Sequence, residues 1–268
     1  MKKYFYLLLF LIGSNAVAQE FKGVAEYQSV TTRKNATIKM TGVDPAMEAQ
    51  MKEALSKPIE NSYILYFDKT ASVYEMVVKL DPNAPAGMRS FTPGKRYNNL
   101  KEGIVLYERE LYDKEFIVQD SLEKPDWKLE NETKKIGNYT CYKATYTIVI
   151  EPPKADGADK AIDLMASLPR REIVVTAWHA PEIPVSHGPS EYWGLPGLIL
   201  GISTDNMTML CTKLTLNPKE KVEVKAPSKG QKVTQEEFNE IGRKKSEEMK
   251  DLYAPKPGSK SMTITIGG

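Results

Sequence analysis

The sequence predicts a mainly β protein: an antiparallel, strongly curved sheet, half-barrel or sandwich built from hairpins, with two or three covering helices. Three observations predict it. Runs of β-branched and aromatic residues alternate with polar ones at period two, the spacing that turns successive side chains to opposite faces of a strand. Brief polar turns such as Asp68-Lys69-Thr70 separate these runs, which marks hairpins. Helical periodicity is confined to a few segments, so consecutive hairpins must supply most of the fold.

The elements follow in order. Phe21–Tyr27 opens a first strand that runs on to about Thr32. A short helix is expected next: Asp44 can cap it, Pro45 suits its first position, Met47, Met51, Ala54 and Leu55 share a face, and Pro58 ends it. Tyr63–Phe67 and Ala71–Val78 form one hairpin, Gly103–Glu110 and Glu115–Gln119 another, with a loop over Pro82–Gly94 between them. A strand opens at Asp126, turns at Lys135–Asn138 and continues as Tyr139–Ile150. Glu151–Asp159 is a connection, Lys160–Leu168 one or two helical turns, and Glu172–Trp178 a strand. After Asp205-Asn206, Met207–Leu216 alternates, with Leu210, Leu214 and Leu216 set against Met209, Cys211 and Lys213. Thr234 with Glu237 makes a capping box and Val233 with Phe238 a hydrophobic staple, which predicts a helix over 235–252. Ser261–Ile266 adds a last strand.

Residues 1–18 read as a secretory signal: Lys2 and Lys3, an apolar run from Tyr4 to Ile12, and Ala16-Val17-Ala18 as a small-x-small cleavage site. The remainder, 19–268, is expected to be a single β-rich domain, soluble and either periplasmic or secreted. No cysteine follows the apolar run, which argues against lipoprotein processing, and no later stretch approaches the roughly twenty apolar residues of a membrane span. Removing the signal leaves as many basic as acidic residues, 35 of each. A neutral chain with no basic run is not expected to bind nucleic acid or an anionic membrane surface through its overall charge.

The chain is organised around Glu191–Leu200, a rigid turn feeding an apolar strand. Leu195-Pro196-Gly197-Leu198 fits a type II turn, with proline at its second position and glycine supplying the positive φ of its third. Leu198, Ile199 and Leu200 are then a buried strand. Upstream, Pro181, Pro184, Gly188 and Pro189 rule out a helix and stiffen an extended segment.

Chemistry is sparse here. His179, Glu182 and His187 are the candidate metal ligands, but a proline-interrupted loop lacks the fixed helical spacing of zinc-enzyme motifs. There is no nucleophile elbow or triad, and Gly194–Gly201 lacks the lysine and the following helix of a phosphate loop. Cys141 and Cys211 either bridge two strands or remain separate thiols, depending on whether their strands are neighbours. Tyr142, Tyr146, Trp178, Tyr192 and Trp193 could line a pocket for an apolar or glycan ligand, although core packing is the commoner role of such residues.

Gly194-Leu-Pro-Gly-Leu-Ile199, together with Trp178, Pro184, Gly188, Pro189 and the earlier Ile136-Gly137-x-Tyr139-x-Cys141-x-Lys143-Ala144, resembles the GLPGLI family of Bacteroidetes, also called Porph_ging. The likeness extends to Leu216-Asn217-Pro218 and covers residues 20 to 250. It implies an exported protein of the cell envelope with no assigned enzymatic activity or cofactor. By analogy of fold it implies a likeness to half-barrel carriers that hold lipids in the periplasm. His179 departs from the pattern, where an aromatic residue is usual.

Three readings follow. The first is a non-enzymatic envelope protein that binds a protein partner or ligand, without cofactor. The second is a periplasmic carrier or sensor of a hydrophobic ligand in a curved-sheet cavity. The third is a metal-assisted hydrolase using His179, Glu182 and His187.

Overall fold

A computed structural model of the chain describes residues 21–32, 37–40, 46, 49, 53, 56–78, 94–152, 170–252 and 264–267. The signal segment, the loop at 82–93 and the stretch 153–168 lie outside the described residues. So does most of the helix expected at 45–57, of which residues 46, 49, 53 and 56 are helical.

Fourteen strands are present among the described residues: β1 Gly23–Thr31, β2 Thr37–Met40, β3 Ile59–Phe67, β4 Ala71–Val77, β5 Arg96–Asn99, β6 Ile104–Leu111, β7 Lys114–Ser121, β8 Lys128–Ile136, β9 Tyr139–Ile150, β10 Arg171–Ala180, β11 Leu198–Ser203, β12 Met207–Leu216, β13 Gln231–Thr234 and β14 Ile264–Gly267. Twelve of them pair in the order β13-β7-β6-β5-β4-β3-β1-β12-β11-β10-β9-β8, an open sheet that does not close into a barrel. β14 and β2 form a separate antiparallel pair.

The order is two meanders joined at a seam. β3 to β7 run hairpin by hairpin to one side, β8 to β12 to the other, and β1 pairs with β3 on one flank and β12 on the other. All pairings in the sheet are antiparallel except that of β13 with β7. That exception requires a crossover. After β12 the chain traverses the sheet as an irregular strap, residues 217–230, before β13 enters parallel to β7 and leads into the long helix Gln235–Leu252.

Alternation of side chains gives the sheet two faces. The inner face holds the main core: Ala25 and Tyr27 of β1, Leu65 and Phe67 of β3, Val175 and Ala177 of β10. Through the register Tyr74–Arg96–Tyr107–Val118 the same face continues to the long helix, where Phe116, Val118 and Val233 pack with Phe238 and Ile241. On the outer face Val73, Tyr97, Leu106 and Ile117 form a second cluster, against which Val224 of the strap packs.

The sheet is interrupted by bulges. The β1–β12 register slips at Glu26/Tyr27, leaving Thr212 without an opposite residue, and its hydroxyl donates to the Glu26 carbonyl. Another slip at Trp178/His179 passes over Leu200, and a third lies in β8 between Leu129 and Thr133. Such bulges bend and twist the strands that carry them. They also correct the expected facing of β12. Cys211, opposite Tyr27, and Leu214, opposite Ala25, both face inward, whereas Leu210, paired with Gly201 and Gln28, faces outward and is 42% exposed.

The capping box forms as expected. Thr234 N donates to Glu237 Oε2 at 2.8 Å, and Glu237 N donates to Thr234 Oγ1 at 3.1 Å. β2, β5 and β13 are the strands that period-two alternation did not reveal, each four residues long.

Candidate functional site

The stiff segment expected to organise the chain is a plug, residues 181–197, between β10 and β11. It lies over the inner face, and side chains of Ile183, Val185, Tyr192 and Leu195 enter the main core. With four prolines and almost no regular structure, its polar groups must find partners individually. Several do. Ile183 O accepts from Leu198 N at 3.1 Å, His187 O from Ile199 N at 3.0 Å, and Ser186 O from Gly194 N at 2.8 Å. Trp127 Nε1 donates to Trp193 O at 2.8 Å, Trp193 Nε1 to Glu123 O at 3.0 Å, and Tyr27 Oη reaches across from β1 to Ile199 O at 2.7 Å.

The turn itself differs from the expected type. Leu198 N–H is taken by Ile183, so it cannot close on Leu195; instead Gly197 N–H bonds Leu195 O at 2.9 Å in a three-residue turn centred on Pro196. Gly197 has the expected positive φ, 127°. A second constraint is visible only in three dimensions: a Cβ at 197 would overlap the carbonyl of Ala180 and the nitrogen of Pro181, and one at Gly188 the carbonyl of Tyr192. These two glycines are sites of backbone crossing.

The proposed metal ligands do not meet. His179 Nδ1 pairs with Pro196 O at 3.0 Å, His187 Nε2 with Asp68 O at 3.0 Å, and the Glu182 carboxylate accepts from Thr140 N at 3.1 Å. Each is a clasp between the plug and a neighbouring turn or strand. Among the described residues no three His, Cys, Asp or Glu side chains converge on a point. His187 is fully buried against the Phe67 ring; because Nε2 donates to Asp68, Nδ1 is an acceptor without a partner. Burial holds this imidazole down to about 4, opposed only in part by the Asp68 carbonyl.

Both cysteines are free, since β9 and β12 are separated by β10 and β11. Adjacent strands lie about 4.8 Å apart, so the two are not paired partners within bridging distance along the sheet. Burial pushes the Cys141 thiol up to about 11 and Cys211 up to about 12, both poor nucleophiles at neutral pH.

The five aromatic residues expected to line a ligand pocket fall into two groups, Tyr146, Tyr192 and Trp193 around Trp127, and Tyr142 and Trp178 beside His179 and Lys134. Tyr192 is buried in the core and Tyr146 packs edge-on against Trp127 at 4.6 Å. Trp178 lies beneath the Lys134 ammonium at 4.1 Å, Trp193 is tied to Glu123, and Tyr142 is 43% exposed beside His179.

The roomiest feature near the seam is on the other face. A cleft of about 830 Å³ runs between the outer face and the strap. Val24, Ile64, Tyr66 and Val73 form its apolar floor, and residues 218–223 with Lys225 its wall. The rim charges neutralise one another: Lys95 pairs with Glu75 at 2.9 Å, Lys213 with Glu26 at 2.8 Å, and Glu223 with both Lys221 and Lys225. Between Pro218 and Lys229 no main-chain hydrogen bond to another main-chain group is formed among the described residues. Sequence reading missed this strap; its only trace was the alternation of lysine and glutamate around Val222 and Val224.

These features define a class: an open antiparallel-sheet protein with a clasped plug on one face and a strapped cleft on the other. Residues 127–201, which hold β8 to β10, the plug and the start of β11, match the family described as "Protein of unknown function (Porph_ging)". No curated protein matches the sequence. Among solved structures, PNGF-II in space group C2 is similar at TM-score 0.52 and 13% identity, over 84% of this chain and 33% of that one. PNGF-II in space group P21 gives 0.51 at 13% identity with the same coverage. The chain thus spans a third of the length of PNGF-II, and at that identity the likeness is one of fold. LprF from Mycobacterium bovis aligns over 78% of this chain and 90% of its own, at TM-score 0.27 and 10% identity. No described helix is long and apolar enough to cross a membrane.

Proposed function

We propose that the chain is an exported, non-enzymatic protein of the cell envelope that binds an extended segment of a protein partner in the cleft beneath the strap. The observation that carries this reading is the strap's main chain, which borders an apolar floor with its N–H and C=O groups unspent on other main-chain groups. An extended peptide supplies complementary backbone groups at the spacing of a strand, and its alternate side chains would reach Tyr66 and Ile64. Because the rim lysines and glutamates are mutually paired, the fitting segment is uncharged or of mixed charge. Export follows from the reading of residues 1–18 as a signal.

The test is photo-crosslinking in the native envelope from a reactive residue at Lys219, with Tyr112 at the distant β6–β7 turn as control. A defined partner captured from 219 and absent from 112 supports the reading. The same species from both positions, or none from 219, overturns it.

A second reading, a carrier of a hydrophobic ligand, is favoured by one observation. Val30, Ile59, Val77, Val78, Val149 and Ile150 are exposed and lie along one end of the sheet, where β1, β4 and β9 end and β3 begins. Displacement of a fluorescent fatty acid by this chain would support it, and no uptake at micromolar protein would remove it.

A further inference from the structure

The inner face carries a cationic cluster used by neither the plug nor the cleft. Arg96 on β5 stands opposite Tyr107 on β6, and Arg109 lies two residues further along β6, so alternation turns all three side chains to the face that bears the long helix. Arg96 Nε donates to Asn98 Oδ1 at 3.0 Å and Nη1 to the Tyr107 hydroxyl at 2.6 Å, with Asn98 itself buried. Both guanidinium groups lie over the Tyr107 ring, Arg96 at 4.9 Å and Arg109 at 5.3 Å from its centre.

The arrangement has an unbalanced charge. A ring attracts either cation through its quadrupole, but two cations on one ring repel each other. Among the described residues no carboxylate forms an ion pair with Arg96 or Arg109, whereas Lys95 next to the first has Glu75. Glu108 and Glu110 of the same strand face outward by alternation. Arg96 is half-buried, held by two neutral acceptors and with N–H donors to spare, and Arg109 is exposed, so the cluster opens to solvent on one side.

We propose that Arg96 and Arg109 form a clamp for a phosphate group, with Tyr107 as the spacer between them. One planar guanidinium fork saturates a carboxylate, whereas the tetrahedral oxygens of a phosphate accept from two forks at once. Asn98 and the Tyr107 hydroxyl fix Arg96 in place before any anion arrives, which reduces the ordering cost of binding. The phosphate could be carried free or on a lipid headgroup, and the two sources separate by experiment.

Calorimetric titration of the purified chain with inorganic phosphate, at constant ionic strength in chloride, is set beside sedimentation with phosphatidylglycerol and phosphatidylcholine vesicles. The expected result is saturable binding of phosphate or of phosphatidylglycerol vesicles, weakened at least about tenfold in both Arg96→Gln and Arg109→Gln. Lys213→Gln, which removes an outer-face cation, binds as the parent does. Phosphate binding identifies the free anion; vesicle binding without it identifies the headgroup. Because the Arg109 side chain makes no hydrogen bond among the described residues, Arg109→Gln keeps the parental melting temperature and separates lost binding from lost folding. Absence of binding by both probes, or an equal loss in Lys213→Gln, overturns the clamp.

Discussion

Two irregular segments cross this sheet, one on each face, and they are built in opposite ways. The plug 181–197 sends its side chains into the core, its Ile183 and His187 carbonyls accept from β11, and its His187 and Trp193 rings bond the turns around Asp68 and Glu123. The strap 217–230 rests on Val222 and Val224, is otherwise mostly exposed, and forms no comparable main-chain bonds between 218 and 229 among the described residues. A segment without regular structure can be rigid if every polar group is met locally, and it remains available for recognition if those groups are not. The plug is therefore a stability element and the strap a surface element, and substitutions should divide along that line.

The largest effect is expected at the backbone crossing. Gly197→Val should cost about 4 kcal/mol, because valine disfavours positive φ and its side chain would overlap the Ala180 carbonyl. Gly194→Ala is the informative control. Its φ is also positive, 92°, but the nearest atoms to a new Cβ belong to the flexible Lys124 side chain, so the cost should be about 1–2 kcal/mol. Equal midpoints of urea unfolding for Ala at 194 and at 197 would show that the crossing does not matter.

Next is the clasp at His187. The folded imidazole is held at about 4 against an ordinary 6.5, so the unfolded chain takes up the proton first as pH falls. Its contribution is whole above pH 6.5 and is lost as pH drops from 6.5 to 4, by about 3 kcal/mol in all. Unfolding of His187→Gln followed across that window should show a shallower pH dependence than the parent; parallel curves would remove His187 as the cause.

At the far end of the strap the capping box begins the helix that anchors it. Thr234→Ala removes one of two reciprocal bonds and should cost about 1 kcal/mol, read as a lower melting temperature. The smallest effect belongs to the strap. Lys219→Ala with Glu220→Ala should stay within about 0.5 kcal/mol of the parent in stability while weakening capture of a partner from the cleft. A clear loss of stability there would make the strap a second plug.

Much of the fold was legible because its signals are local. The hairpin at Asp68-Lys69-Thr70, strand β12 and the helix from Gln235 are written in alternation, turn chemistry and a capping box within a few residues of one another. What escaped depends on distant partners. β5 is the short polar Arg96–Asn99, which is a strand only because β4 and β6 flank it. β13 is a strand because the strap delivers it to the edge of β7. The inward turn of Leu214 depends on a bulge facing Thr212, and no periodicity in β12 alone announces that. For the plug, glycine and proline revealed a demanded shape, but the roles of His179, Glu182 and His187 as clasps rest on carbonyls and an amide far away in the chain.

The seam strand has a consequence for how the chain is made. β1 is the first strand to emerge and meets β3 within a few tens of residues, but its other neighbour, β12, comes about 180 residues later. Until then its second edge stays unpaired, and closing so long a loop is slow compared with zipping up either meander. A chain interrupted before Met207 would carry a mature hairpin with an open edge along Ala25, Tyr27 and Ser29, the kind of template on which chains aggregate. Arrival of β12 makes one sheet of the two meanders, and with it the last segment of the main sheet's central edge disappears.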